Sequence, residues 1–122
     1  MAQLLDKVAL ITGAGQGVGQ GIAFAMAQAG ASVVVTGRTL EKLEKTVAEI
    51  EIHGGRALAL TCDVKSADDL AAAVETTVSS FGSLDILVNN AQEVPLGKLE
   101  DVSDDAFLAG FISGPLASHR LM

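Results

Sequence analysis

The chain has no tyrosine and no tryptophan, a single cysteine, two prolines, and eight lysines and arginines against fifteen acids. Each shortage closes off a class of protein. With Cys62 alone, no intrachain disulfide can form, so the fold has to stand on its core, and a reducing, cytoplasmic setting is expected. The thiol reads as a small apolar residue near a strand end rather than as a reactive group. A net charge of −7, with no cluster of lysine and arginine, argues against a nucleic-acid partner, because phosphate backbones are held by grouped cations.

Long apolar runs are missing as well. Residues 8–37 carry no charge, but Gly13, Gly15, Gly17, Gly19, Gly21, Gly30 and Gly37, with Gln16, Gln20 and Gln28, break the stretch well short of the ~20 mainly apolar residues that a membrane span needs. Asp6 and Lys7 directly precede Val8 where a secretory signal would place a basic segment and an apolar core. No membrane association is expected.

What is present is an alternation. Hydrophobic residues make up 49% of 122 residues, enough for one small domain over 1–122 with a single core. Four aliphatic runs ended by Gly, Asp or Asn read as strands: Lys7–Thr12, Ala31–Gly37, Arg56–Cys62 and Leu84–Asn89. Between them, apolar residues recur at helical spacing: Val18, Ile22, Ala25, Met26 and Ala29, then Leu40, Leu43, Val47 and Ile50, then Leu70, Val74, Thr77, Val78 and Phe81. Gly30, Gly54 and Gly82 stand where left-handed C-terminal caps are wanted, Thr39 where an N-cap is, and Ser66 with Asp69 forms a capping box. Strands alternating with helices predict an α/β fold, a Rossmann-type doubly wound parallel sheet. Right-handed crossovers give the strand order 3-2-1-4, with a ligand crevice at the switch point between strands 1 and 4.

The first strand runs into Thr12-Gly13-Ala14-Gly15-Gln16-Gly17-Val18-Gly19, where a helix must begin. Glycines there allow a sharp turn, let the backbone approach a pyrophosphate, and leave the helix N-terminus open to anionic oxygens. The common G-x-G-x-x-G spacing fails, because Val18 and Gln20 stand where a third small residue is needed, and no Walker lysine follows. The spacing present is T-G-x-x-x-G-x-G. Together with Asp63-Val64 at the end of the third strand and Asn89-Asn90-Ala91 at the end of the fourth, it resembles the short-chain dehydrogenase/reductase family, continuously from Lys7 to about Phe111.

The resemblance implies a nicotinamide dinucleotide cofactor and a small alcohol or carbonyl substrate. Gly13, Ala14, Gly15, Gln16, Gly17, Val18 and Gly19 would line the diphosphate, and Arg38 would lie beside the adenosine ribose. Asp63 and Val64 would contact the adenine, Asn90 and Ala91 the ribose edge, while Asn89 would pin neighbouring strands. NAD-binding relatives usually carry an acid just after the second strand. Here Thr36-Gly37-Arg38-Thr39 offers a guanidinium to a 2′-phosphate, so NADP is favoured, with NAD as the alternative. Gln16 stands where NADP-binding relatives often carry a second basic residue.

Against the family pattern, the chain lacks the catalytic tyrosine and reaches Met122 before the family's fifth strand, so no catalytic residue is assigned and the fold is expected to be incomplete relative to the full family. The strand Leu84–Asn89 would then leave an open edge, through which a homo-oligomer is expected. Gln92 replaces the glycine of N-N-A-G. A helix opened by Ser103, Asp104 and Asp105 meets Gly114-Pro115, where a break near Ser113 is expected, because an interior proline costs roughly 3 kcal/mol. Gly114 occupies the region where many relatives carry an active-site asparagine.

His53 and His119 read as surface residues, and the Asp68-Asp69 and Asp104-Asp105 pairs as first-turn carboxylates, so no metal is expected. Three readings stay open: the cofactor-binding part of an oxidoreductase, a non-catalytic dinucleotide-binding or regulatory module, and a nucleotide fold for flavin or S-adenosylmethionine.

Overall fold

In the computed structural model of the chain, residues 3–91 and 103–121 are described. Strands β1 (Val8–Ile11), β2 (Ser32–Gly37), β3 (Arg56–Thr61) and β4 (Ile86–Val88) form one sheet in the order β3-β2-β1-β4. Every pairing is parallel, with Val8 opposite Ser32, Ala9 opposite Ile86 and Ser32 opposite Arg56. Helices α1 (Gly17–Gln28), α2 (Leu40–Ile52) and α3 (Ala67–Phe81) make the crossovers, and α4 (Asp104–Phe111) passes through a π-helical turn, Ile112–Leu116, into α5 (Ala117–Leu121). This is the expected Rossmann-type sheet.

Alternation along the central strands feeds two cores. Ala9, Ile11, Val33 and Val35 face α1 and α2, where they meet Ala23, Leu43 and Ile50. Leu10 and Val34, equally buried, point to the other face, which α3 crosses. There Cys62, Leu70, Ala73 and Ala117 form a second cluster. Each fully buried Val, Leu or Ile contributes about 1.5–3 kcal/mol, whereas a helix cap contributes ~1, so two-sided burial of β1 and β2 dominates stability.

The face that α1 buries differs from the expected stripe. Val18 is 73% exposed, and the buried residues are Gly19 and Ala23. The helix is apolar nearly all round, so periodicity alone does not choose a face; close backbone approach does, through the smallest residues. On α2 and α3 the small polar Thr46 and Thr77 are buried with Leu43, Ile50, Leu70 and Ala73, while Leu40 and Val78 are exposed.

Helix ends follow the glycines. Gly30, Gly54 and Gly82 have φ of 103°, 84° and 87°. Ser66 Oγ accepts the Asp69 N–H at 3.2 Å, but Asp69 Oδ2 accepts from Asp63 N at 3.0 Å, so the capping box is half made. Thr39 sits at the N-cap of α2 without a side-chain cap bond. The break expected near Ser113 is instead the π-helical turn, which contains Pro115 and lets the helix run on, as such insertions do where a ladder donor is missing. No helix among the described residues is long and apolar enough to cross a membrane.

Asp85 fastens β4 to β1. Its N–H donates to the Val8 carbonyl at 2.9 Å, and its Oδ2 accepts from Val8 N at 2.9 Å and Ser83 Oγ at 3.0 Å. The Val8 N–H, then the Ser83 hydroxyl and Lys7, hold the carboxyl below its ordinary value. A depressed carboxylate stabilises the fold above its unfolded value and loses that contribution as pH falls through the folded one. Asp85→Asn should therefore melt below wild type at pH 7, with the gap closing as pH drops below about 4. Thermal melts across that range check this, and a gap independent of pH would contradict it.

Candidate functional site

All four strands end on one side, and the segments that follow them enclose a cavity of about 400 Å³. That size suits a small-molecule or cofactor site, and the position is the crevice beyond the strand C-termini. Gly13, Gly15, Gln16 and Gly17 after β1, Arg38 after β2, Asp63 and Val64 after β3, and Asn90 and Ala91 after β4 all line it.

The turn after β1 is held from three directions by threonine hydroxyls. Thr12 Oγ1 accepts the Asn90 and Ala91 N–H groups, each at 3.0 Å, and donates to the Val88 carbonyl at 3.4 Å. Thr36 Oγ1 donates to the Ile11 carbonyl at 3.1 Å, and the Ala14 N–H donates to the Thr36 carbonyl at 2.9 Å. Thr46 Oγ1 on α2 lies 3.2 Å from the Ala14 carbonyl and 3.1 Å from that of Lys42, and accepts from Gln20 Nε2 at 3.1 Å.

Glycine is required at two points of this turn. Gly13 has φ of +65°, and a Cβ there would stand 2.9 Å from Ala91 Cα. At Gly19 a Cβ would run into the Gly13 carbonyl and lie 2.5 Å from Asn90 Nδ2. Gly17, with φ of +61°, has nothing within 4 Å of its Cβ position, so the turn is open on the cavity side. Gln16, the N-cap of α1, makes no side-chain cap bond, and the first turn carries no acid. The first N–H groups of α1 have no partner within the helix, and the helix meets the cavity wall at Gly17 with the positive end of its dipole, an arrangement that holds anionic oxygens. These features fit a dinucleotide's diphosphate.

Three expected residues stand back from the wall. Ala14 is wholly buried beneath the turn, Gly19 is the contact point between α1 and the turn, and Val18 turns its side chain to solvent. Asn89 is exposed. The pinning bond expected of it is made by Asn90, whose Nδ2 donates to the Gly13 carbonyl at 3.1 Å. Gln92 lies outside the described residues.

The wall also contains Gly37, Thr39, Lys42, Leu43, Cys62 and Ser113, which sequence reasoning did not assign to a site. Lys42 stands out, since its Nζ donates to Gln16 Oε1 at 2.6 Å. Its i, i+4 spacing from Arg38 was a visible signal. Burial, then the Asp69 and Asp63 carboxylates, push the Cys62 thiol up to about 11. It stays protonated at neutral pH and is a poor nucleophile, so it serves as packing at the cavity wall. Among the described residues, no three His, Cys, Asp or Glu side chains group as metal ligands do.

A family model described as short chain dehydrogenase matches residues 7–112. The chain is 43% identical over 106 residues to a versicolorin reductase of Emericella nidulans, covering 86% of this chain and 40% of that protein. It is 49% identical over 86 residues to a cyclohexanol dehydrogenase of an Acinetobacter strain, covering 70% and 34%. The crystal structure of a short chain dehydrogenase from Mycobacterium smegmatis superposes with a TM-score of 0.92 at 31% identity, covering 99% of this chain and 51% of that one. The chain thus spans about 40% of the length of the curated relatives it matches.

The contrast between two glycines is testable. Gly19→Ala drives a methyl group into backbone that cannot move, and should destabilise by about 1–3 kcal/mol with loss of the turn geometry. Gly17→Ala meets only left-handed strain of about 1–2 kcal/mol. Urea melts together with backbone amide spectra check the pair. If Gly19→Ala leaves the Gly13 and Asn90 amide signals unmoved, the close approach is not a constraint.

Proposed function

The chain belongs to the short-chain dehydrogenase/reductase family, and from that premise we propose that the cavity at the strand ends binds a nicotinamide dinucleotide for the interconversion of an alcohol and a carbonyl compound. The observation that carries this is the glycine turn, which lines the cavity with Gly13, Gly15, Gln16 and Gly17 and leaves the head of α1 without a side-chain cap or a first-turn acid. On this reading residues 1–122 are one NAD(P)-binding domain. Gly13, Gly15, Gln16 and Gly17, with the backbone of Ala14, Val18 and Gly19, hold the diphosphate. Asp63 and Val64 meet the adenine, and Asn90 and Ala91 the ribose edge.

NADP is the cofactor we favour over NAD. Arg38 lies in the cavity wall directly after β2, and the first acid beyond it is Glu41. A guanidinium pairs well with a 2′-phosphate, and no carboxylate there would accept ribose hydroxyls or repel the phosphate.

The dinucleotide supplies hydride transfer at a carbonyl carbon when bound. The chain's own residues orient it and shield its diphosphate. A proton donor or acceptor at the substrate oxygen is also needed, and these 122 residues contain no tyrosine, the group that serves in the family. We therefore assign them cofactor binding without proton transfer. Names of relatives, a cyclohexanol dehydrogenase and a versicolorin reductase, support an alcohol or carbonyl substrate. A cytoplasmic homo-oligomer is the setting we favour.

A second reading, a dinucleotide-binding module without turnover, is favoured by the same lack of tyrosine. Both readings predict tighter binding of NADPH than NADH, and Arg38→Asp should reverse the order, by about tenfold for one charge-assisted contact. Nicotinamide fluorescence at fixed salt measures it. Equal affinities in wild type would overturn the NADP assignment. Turnover of secondary alcohols by protein of verified mass would contradict the assignment of binding alone.

A further inference from the structure

A second cavity, of about 600 Å³, lies at the other end of the sheet, where Gly30 and Gly55 in its wall just precede β2 and β3. Two helix faces build it. α1 contributes Phe24, Ala27 and Gln28, and α2 contributes Glu49, Ile50 and His53, each set at the three- and four-residue spacing that shares one helix face. The base is apolar, with Ile50 buried and Phe24 and Ala27 half-buried, while Gln28, Glu49 and His53 are exposed at the rim. Between the helices the chain passes as Gly55, where a Cβ would stand 2.6 Å from Ile50 Cγ2 and 3.4 Å from Ala27 Cβ. A cavity of this size and make-up suits a small molecule.

The charges around it are one-sided. Both helices end here with the negative ends of their dipoles, where a lysine or arginine in the last turn would be stabilising. Neither last turn has a basic residue, and that of α2 carries Glu49 and Glu51, two acids set against the dipole. The cations close by in sequence do not offset them. Arg56, next to Gly55, lies over the Phe81 ring of α3, 5.3 Å from its centroid and on the opposite face of the sheet. Lys45, one turn before Glu49, makes no ion pair with it among the described residues. Glu49 is therefore not there to support α2.

His53 adds an acceptor to the same rim. Its Nδ1 lies 2.9 Å from the Glu49 carbonyl oxygen. A carbonyl only accepts, so Nδ1 carries the proton of that bond, and in the neutral ring Nε2 is left as an acceptor. We propose that this second cavity is a binding site for a small organic cation, an ammonium group on an aromatic or aliphatic body, with Glu49 as its counter-ion and Phe24, Ala27 and Ile50 as its apolar base. The two cavities share no lining residue, so the proposal is independent of the dinucleotide reading, and the charges that favour a cation here disfavour a phosphate.

Three probes with one apolar body and different charges test it: 2-phenylethylammonium, 2-phenylethanol and phenylacetate. Backbone amide spectra recorded during titration at low salt locate binding without turnover. Shifts should gather at Phe24 to Gly30 and Glu49 to Gly55. The ammonium should bind most tightly, the alcohol about fivefold more weakly, as an exposed ion pair allows, and phenylacetate more weakly still. Glu49→Gln, a change at an exposed position, should bring the ammonium to the affinity of the alcohol and leave the alcohol unchanged. Glu51→Gln removes the same charge outside the cavity wall and should have a smaller effect. Raising salt should narrow the difference between ammonium and alcohol.

Equal binding of ammonium and alcohol by wild type would overturn the cation assignment. So would an equal loss in Glu49→Gln and Glu51→Gln, which would mean a diffuse field rather than a counter-ion. No shift at these two segments with any probe, or shifts that saturate elsewhere, would remove the site itself. None of these results bears on binding of NADP⁺ at the glycine turn.

Discussion

At the head of the sheet the Thr12 hydroxyl accepts two backbone N–H groups, those of Asn90 and Ala91, and donates to the Val88 carbonyl. A hydroxyl has two lone pairs and one proton, so its whole capacity is spent locking the end of β4 to the end of β1. The glycine turn grows directly from that lock. Asn90 adds a second tie to the Gly13 carbonyl, and Gly19 fits against the same carbonyl because it has no side chain. Without this junction the N–H groups at the start of α1 would have no fixed direction, and the cavity between β1 and β4 no wall.

The rest of the fold serves the junction from behind. β1 and β2 are buried on both faces, so the sheet cannot slide beneath the turn without exposing Leu10 or Ile11. Thr36 and Thr46 carry hydrogen bonds from β2 and α2 to the underside of the turn. Polar groups are thus satisfied on the protein side, and the head of α1, with no side-chain cap and no first-turn acid, adjoins the cavity at Gly17. Among the described residues, no buried side-chain polar atom lacks a hydrogen bond. Arg38 and Lys42, both in the cavity wall, are exposed, so their charges are sensitive to salt.

Much of this was legible in the amino-acid sequence. Alternating aliphatic runs and amphipathic segments are set by burial periodicity, which local sequence records directly, and strand order follows from handed crossovers. The glycine turn was legible because positive φ and close approach admit few other residues. What escaped depended on contacts between distant segments. The buried face of α1 is chosen by Gly19 meeting Gly13 and Asn90, which no periodicity within an apolar helix encodes. Lys42 reaches the cavity wall only because α2 packs beside the turn, where its Nζ meets Gln16. Asn89 and Asn90 are adjacent and chemically identical, so only the register of β4 decides which one reaches Gly13. Pro115 was read as a break because a proline removes one donor, yet a π-helical turn absorbs it within a continuous helix.

Where a dinucleotide binds decides whether the cavity at the strand ends is a cofactor site. Backbone amide chemical-shift mapping during titration with NADP⁺ observes that directly. The prediction is that shifts concentrate at Gly13 to Gly19, Arg38, Lys42, Asp63, Val64, Asn90 and Ala91, the segments that follow the four strand ends. Shifts confined to the opposite end of the sheet, at the second cavity lined by Phe24, Ile50 and His53, would contradict it, as would saturation with no change at the glycine turn.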